Sequence, residues 1–153
     1  MKKTFFFIVM VLVIGSTVQA QQPKSEAKTT SKVQHITYKD FIEKIWDFEK
    51  NPDNFIYKGK TMAVVDFYAD WCGPCRRVGP IMEELADDYE GEVVFYKVNV
   101  DQEKELSSVF QVRSIPMVLF IPLKGQPAKQ IGALPEAEYA RIIEAMLDGE
   151  EDK

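Results

Sequence analysis

The sequence predicts an α/β protein built on a mixed central sheet of about five strands, with helices on both faces. Three observations lead there. Dense β-branched and aromatic runs, "TMAVVDFYA" at 61–69 and "EVVFYKVNV" at 92–100, read as strands covered on both faces. Segments with apolar residues at helical spacing lie between the early strands, so crossovers join parallel neighbours. Near the end only "KGQP" separates two strand-like runs, which implies an antiparallel hairpin.

Taken in order, "VQHIT" (33–37) is a short alternating strand. "YKDFIEKIWDFEKN" (38–51) places Phe41, Ile45 and Phe48 on one helical face, with Ile42 and Trp46 beside them. Asn51–Pro52 ends that helix and "DNFIYKGK" connects it to the 61–69 strand. A helix is then expected from Cys72 to Tyr89, with Val78, Met82, Leu85, Ala86 and Tyr89 as its apolar stripe. Pro80 falls inside it and should kink it without ending it, because the stripe continues. After the 92–100 strand, "QEKELSSVFQV" (102–112) reads as a short helix with Leu106, Val109 and Phe110 inward. "PMVLFIP" (116–122) and "AKQIGA" (128–133) are the hairpin strands. "PEAEYARIIEAML" (135–147) is the last helix, with Pro135 in its first turn and Tyr139, Ile142, Ile143, Met146 and Leu147 inward. The order is β-α-β-α-β-α-β-β-α, and "DGEEDK" is an acidic tail expected to fray. Met62, Met82 and Met117 look like core filler.

The chain's two ends stand apart from this globule. "MKK" is a positive start, Phe5–Gly15 is a continuous apolar run, and "STVQA" ends in small residues. This is the tripartite pattern of a secretory signal peptide over 1–20, with cleavage expected after Ala20 and no membrane span left afterwards. An uncleaved anchor is the alternative. Residues 21–32 are polar and read as a flexible leader, and 150–153 as an acidic tail. The formal charge is -5, and losing Lys2 and Lys3 with the signal takes it to -7. That argues against nucleic acid, which favours a basic face. The protein is expected in the periplasm or another extracytoplasmic space.

Both cysteines of the chain lie in "DFYADWCGPCRRVGP" (66–80), two residues apart. They could be redox partners, half of a metal site, or a structural staple. Loop-closure arguments give such a short bridge little stabilising value. Two thiolates are half a tetrahedral zinc set, and no second C-x-x-C or histidine pair supplies the rest. Placed at a helix start, Cys72 would be favoured as thiolate, the nucleophile of disulfide exchange. Cys75, one turn on, could reach back to resolve a mixed disulfide. Asp66, flanked by Val64, Val65 and Phe67, would be desolvated and its pKa raised, which suits proton exchange near neutrality. A structural hydrogen-bond network is the alternative for Asp66, and a snorkelling strand-end lysine for Lys97. His35, the only histidine, reads as a solvated strand residue, and the acids of 83–92 as a wet helix face.

"WCGPC" after "VVDFYAD" resembles the active site of the thioredoxin family, and the likeness extends over Val33–Leu147. "HITYKDF" is similar to the family's first strand and helix start, "VRSIP" (112–116) to its cis-proline loop, and "IGAL" (131–134) to the turn beside the active site. The resemblance implies a thioredoxin fold over 33–149. It makes Cys72 the nucleophile, Cys75 the resolving cysteine, Asp66 the buried carboxylate behind them and Lys97 the lysine that faces it. Pro116 matches the proline that follows a cis peptide bond. Trp71, Gly73, Pro74, Ile115, Gly132 and Ala133 match the apolar docking surface for clients. Tyr68 departs from the tryptophan common there, and 46–60 is longer than in the shortest members. The resemblance implies dithiol–disulfide exchange without metal or organic cofactor. The implied partners are disulfide-containing clients and an electron-donating reductase or membrane thiol donor, and a monomer is expected. A Gly-Pro spacer resembles the reducing or isomerising members. The alternatives are an exported thiol oxidant, or a non-catalytic thioredoxin-fold binding module.

Overall fold

A computed structural model describes residues 31–151 of the chain. The expected signal peptide, most of the leader and the last two residues lie outside them. The elements are β1 (Gln34–His35), α1 (Tyr38–Lys44), β2 (Met62–Tyr68), α2 (Cys75–Asp88), β3 (Val93–Asn99), α3 (Lys104–Val109), β4 (Met117–Ile121), β5 (Ala128–Ile131) and α4 (Glu136–Glu151). The sheet runs β1-β3-β2-β4-β5. β3 pairs in parallel with β1 and β2, while β4 is antiparallel to both β2 and β5. The mixed five-stranded sheet with helices on both faces is as the sequence predicts.

Strand alternation sorts the core into two layers. Met62 and Val64 of β2, Val93 and Phe95 of β3, and Val118 and Phe120 of β4 face α2 and α4, where they meet Val78, Met82, Leu85, Tyr139 and Ile143. Ala63, Val65 and Phe67 of β2, with Val98, Leu119 and Ile121, face α1 and α3 and meet Phe41, Ile45, Leu106 and Phe110. Asp66 therefore lies in the α2 layer, by parity with Met62 and Val64. It stands in the sheet between Lys97 of β3 and Val118 of β4.

Helix boundaries differ from the sequence reading in four places. Thr37 opens α1 with a capping box, accepting from the Asp40 amide while Asp40 accepts from the Thr37 amide. α1 then stops at Lys44, well before the predicted Asn51. The amides of Ile45 and Trp46 both donate to the Phe41 carbonyl, which closes the helix. Buried Asp47 organises the next turn: its carboxylate accepts from the Lys50 amide and pairs with Lys50 and Lys58. The break turns Trp46 and Phe48 back onto the core. Trp46 meets Phe48 and Phe110 edge-on at 5.5 and 6.2 Å and Phe55 at a tilt at 5.1 Å, and its indole donates to the Asn54 carbonyl. The long 46–60 segment is thus an aromatic cover on the α1/α3 layer.

The second difference is at Cys72, which precedes α2, because turns at 70–74 carry the chain to Pro74 at the N-cap position. Pro80 sits within α2, which continues past it to Asp88. α3 is shorter than predicted, and Val109 at its end is exposed while Leu106 and Phe110 are buried. Finally, α4 runs on through Asp148 and Gly149 to Glu151, in place of the frayed tail the composition suggests. No proline intervenes there, and one glycine does not break a helix already held by its packed face.

Candidate active site

Cys72 and Cys75 form a disulfide, with Cα atoms 5.3 Å apart. The Cys72 amide donates to the Ala69 carbonyl, which closes the turn after β2. The Arg76 amide reaches the Cys72 carbonyl at 3.3 Å, so the first cysteine leads into α2 although it is not part of it. The Cys75 amide donates to the Cys72 sulfur at 3.2 Å. After reduction that donor stabilises a thiolate at Cys72 more than a thiol. Both cysteines are largely buried, and they pack with Ala69, Tyr68, Val100 and Ile115.

Around the disulfide the surface is apolar. Trp71 is 68% exposed and Ile131 60%, although both are large hydrophobic residues. The Trp71 indole donates to the Asp101 carboxylate at 2.8 Å, which fixes the ring over the loop after β3. Buried Asn99 ties the two flanking loops together: its amide group donates to Asp70, and its carbonyl accepts from the Asp101 amide. The Ile115–Pro116 peptide bond is cis. The Pro116 carbonyl accepts from the Gly132 amide at 2.8 Å, which brings the end of β5 to the same corner. Gly132 has φ +88°, a conformation in which a side chain is strained. The Tyr139 hydroxyl accepts from the Leu134 amide and donates to the Gly132 carbonyl, so α4 holds this turn from behind.

Beneath the disulfide, Asp66 is 3% exposed, and among the described residues its Oδ1 has no hydrogen-bond partner. Burial pushes its carboxyl from an ordinary 3.8 up to about 7, with the Lys97 charge pulling the other way. A cleft of about 500 Å³ lined by Asp66, Cys75, Arg76, Pro80 and Lys97 joins this carboxyl to solvent. A proton can therefore pass between water, Asp66 and the Cys75 side of the pair.

Asp66, Cys75 and Lys97 line one cleft, Ile115 packs on the cysteines, and a hydrogen bond joins Gly132 to Pro116. Trp71, Gly73 and Pro74 lie on the turn that carries Cys72, while Ile115, Pro116, Gly132 and Ala133 come from distant segments. Lys97 lies across the β2–β3 ladder from Asp66 and lines the same cleft. Its Nζ lies 3.9 Å from Glu83 Oε1 on α2. It acts on Asp66 through space, and no hydrogen bond joins them. Glu83, read from sequence as wet helix face, also accepts from Ser31 and from the Val33 amide. Sequence reasoning missed Asp101, Asn99, Ile131 and the Tyr139 hydroxyl. Only Ile131 carried a signal, since an isoleucine ending an edge strand beside a turn glycine is available to a partner. Among the described residues, no three of His, Cys, Asp and Glu gather as metal ligands, and no helix is long and apolar enough to cross a membrane.

A bonded Cys-x-x-Cys pair leading into a helix, over a buried carboxyl of raised pKa and within an apolar rim, defines a dithiol–disulfide oxidoreductase. The comparisons agree. The Thioredoxin family model matches residues 44–145. A thioredoxin of Borreliella burgdorferi is 43% identical over 108 residues, which is 71% of this chain and 92% of the relative. A thioredoxin of Mycoplasmoides gallisepticum is 39% identical over 111 residues, 72% of this chain and 99% of that one. The crystal structure of chloroplastic thioredoxin z superposes with a TM-score of 0.63 at 25% identity, covering 76% of this chain and 96% of that one. The chain belongs to the thioredoxin family. Membership implies disulfide-bearing substrates and a reductase partner in general terms.

Proposed function

We propose that the protein is an exported reductant or isomerase of disulfides in client proteins, working in the periplasm or another extracytoplasmic space. The export reading rests on the tripartite pattern of residues 1–20. The observation that carries the chemistry is the donation from the Cys75 amide to the Cys72 sulfur, which singles out Cys72 as the thiolate.

In the reduced protein, Cys72 attacks one sulfur of a client disulfide and the other client sulfur leaves as a thiolate. Cys75, deprotonated with help from Asp66, then attacks the Cys72 sulfur of the mixed disulfide. The client departs with both sulfurs reduced, and the protein is left with its own disulfide. Trp71, Ile115, Gly132, Ala133 and Ile131 supply the apolar ground on which an extended client segment settles. The reducing direction is favoured by the Gly-Pro spacer. No histidine stands between the cysteines to stabilise the reduced pair and make an oxidant of it.

Insulin reduction tests the mechanism. Cys72→Ser should abolish it, and Cys75→Ser should trap mixed disulfides visible on non-reducing gels; full activity of the Cys72→Ser protein would sink the mechanism. Equilibrating the mature protein against glutathione buffers decides the direction. A potential well below that of the buffer supports a reductant, and one well above it an oxidant.

A further inference from the structure

The chain has four arginines, and three of them lie beside site residues along the chain: Arg76 and Arg77 follow Cys75, and Arg113 precedes Ile115. Arg76 follows Cys75 and lines the cleft above Asp66. Arg77 lines a hollow beside Ala133 and Leu134. Arg113 precedes Ile115 by two residues and shares a depression with Val100, and both Val100 and Ile115 pack on the cysteines. Among the described residues, none of the three has an ion-pair or side-chain hydrogen-bond partner, whereas Arg141, the fourth, pairs with Glu138 at 3.0 Å. Two acids of the loops that flank the cysteines are already engaged: Asp70 accepts from Asn99, and Asp101 from Trp71.

A second observation points the same way. Arg76 and Arg77 occupy the first turn of α2, which holds no acid, and its last turn holds Asp87 and Asp88 and no base. Both placements oppose the helix macrodipole, which favours acids at the start and bases at the end. The charges are therefore not there to stabilise α2. They give an otherwise acidic chain a cationic rim at the cysteine end and gather the acids of 83–92 towards the far end of the helix.

We infer that Arg76, Arg77 and Arg113 form a recognition rim for client disulfides flanked by acidic residues. This deepens the reductase reading and rests on it. Guanidinium groups suit the task, since they pair with carboxylates in a bidentate fork and keep their charge at every working pH. An acidic strand crossing the apolar ground beside Ile115 would set its carboxylates against the rim while its disulfide meets Cys72.

The test uses the reduced protein and two synthetic peptides that carry the same disulfide, one flanked by glutamates and the other by lysines. Release of peptide thiol gives the two second-order rate constants. Because both peptides meet the same Cys72, their ratio is insensitive to the thiol's own pKa. The glutamate peptide should react about tenfold faster at low ionic strength, the lower end of electrostatic steering. The advantage should shrink towards one in about 1 M salt, where the screening length is roughly 3 Å. Replacing Arg76, Arg77 and Arg113 together by glutamine should bring the ratio to about one at every salt concentration. Arginines that served only the thiolate would speed both peptides alike, so a wild-type ratio of one overturns the inference. A triple variant that keeps the full preference also overturns it. Should that variant fold poorly, the salt titration of the wild type and the single Arg113→Gln protein decide. Failure of either peptide to react at all would instead overturn the reductase reading, and this inference with it.

Discussion

Replacing Asp66 by asparagine should stabilise the oxidised protein, and by an amount that depends on pH. The carboxyl is buried in the α2 layer, its Oδ1 lacks a partner among the described residues, and its pKa rises from 3.8 to about 7. At 1.36 kcal/mol for each pH unit, holding it ionised in the native state costs roughly 4 kcal/mol. The sign follows from proton counting. Between pH 4 and 7 the native state keeps a proton that the unfolded chain has lost. Stability of the wild type therefore falls as pH rises through that window and levels off above about 7. Asparagine has nearly the same shape and never ionises, so the Asp66→Asn protein lacks that slope. Urea unfolding of both oxidised proteins across this range measures the difference directly. It should be close to zero near pH 4 and grow to at most about 4 kcal/mol in favour of the variant at pH 8, less whatever solvation the open cleft gives the carboxylate. A difference that stays constant across the range, or a variant that is the weaker of the two at pH 8, would refute the argument that desolvation dominates at this site.

Other substitutions separate the parts of the site. Asp66→Ala should leave the first attack largely intact and slow resolution, so mixed disulfides with insulin accumulate and can be counted by mass spectrometry. Asp101→Ala removes the acceptor of the Trp71 indole, a charge-assisted bond worth about 1.5–3 kcal/mol. It should raise KM for protein disulfides several-fold with kcat little changed, and broaden the emission of Trp71. Phe110→Ala opens a hole where Phe41, Trp46 and Phe67 converge, at a cost of about 3–5 kcal/mol. Calorimetry should show the loss, while the rate of thiol exchange in the protein that remains folded is unaffected.

The order of elements and the sheet could be read from the chain because strand signals here are strong and local. β2 and β3 are nearly continuous apolar runs, and the short link after β4 allows only a hairpin. The cysteine pair was equally legible, since Cys72, Cys75 and their spacer are contiguous. What the sequence hid depends on side chains meeting across distance. Periodicity carried α1 to Asn51 because Ile45, Trp46 and Phe48 keep helical spacing. Their burial is real, but it comes through a turn built on Asp47 and not through a longer helix. Lys97 was placed correctly by register, yet only the packing of α2 could reveal that its Nζ lies nearer Glu83 than Asp66. Asp101 gave no sign at all, because an aspartate after a strand is ordinary until an indole is set beside it.

Two local rules are broken in the elements that build the site. One oxygen of a carboxyl in the middle of the central strand has no hydrogen-bond partner among the described residues, and the helix that follows carries its charges against its own dipole. Each break costs stability, and neighbours do not fully offset either: Lys97 acts on Asp66 only through space, and Arg76, Arg77 and Arg113 have no ion-pair partner among the described residues. Other elements keep the rules, as in the capping box at Thr37, the Arg141–Glu138 pair and the packed aromatic cover over α1. Rule-breaking gathered beside the redox pair marks a place where function has outweighed stability. The two breaks also divide the work. The one beneath the disulfide concerns protons, because only a carboxyl kept from full ionisation can exchange one near neutral pH. The one above it concerns clients, because only unpaired cations remain free to meet an acidic chain. The Asp66→Asn change should therefore alter how fast a bound client is released and leave the choice between clients alone, while glutamine at the three arginines should do the reverse.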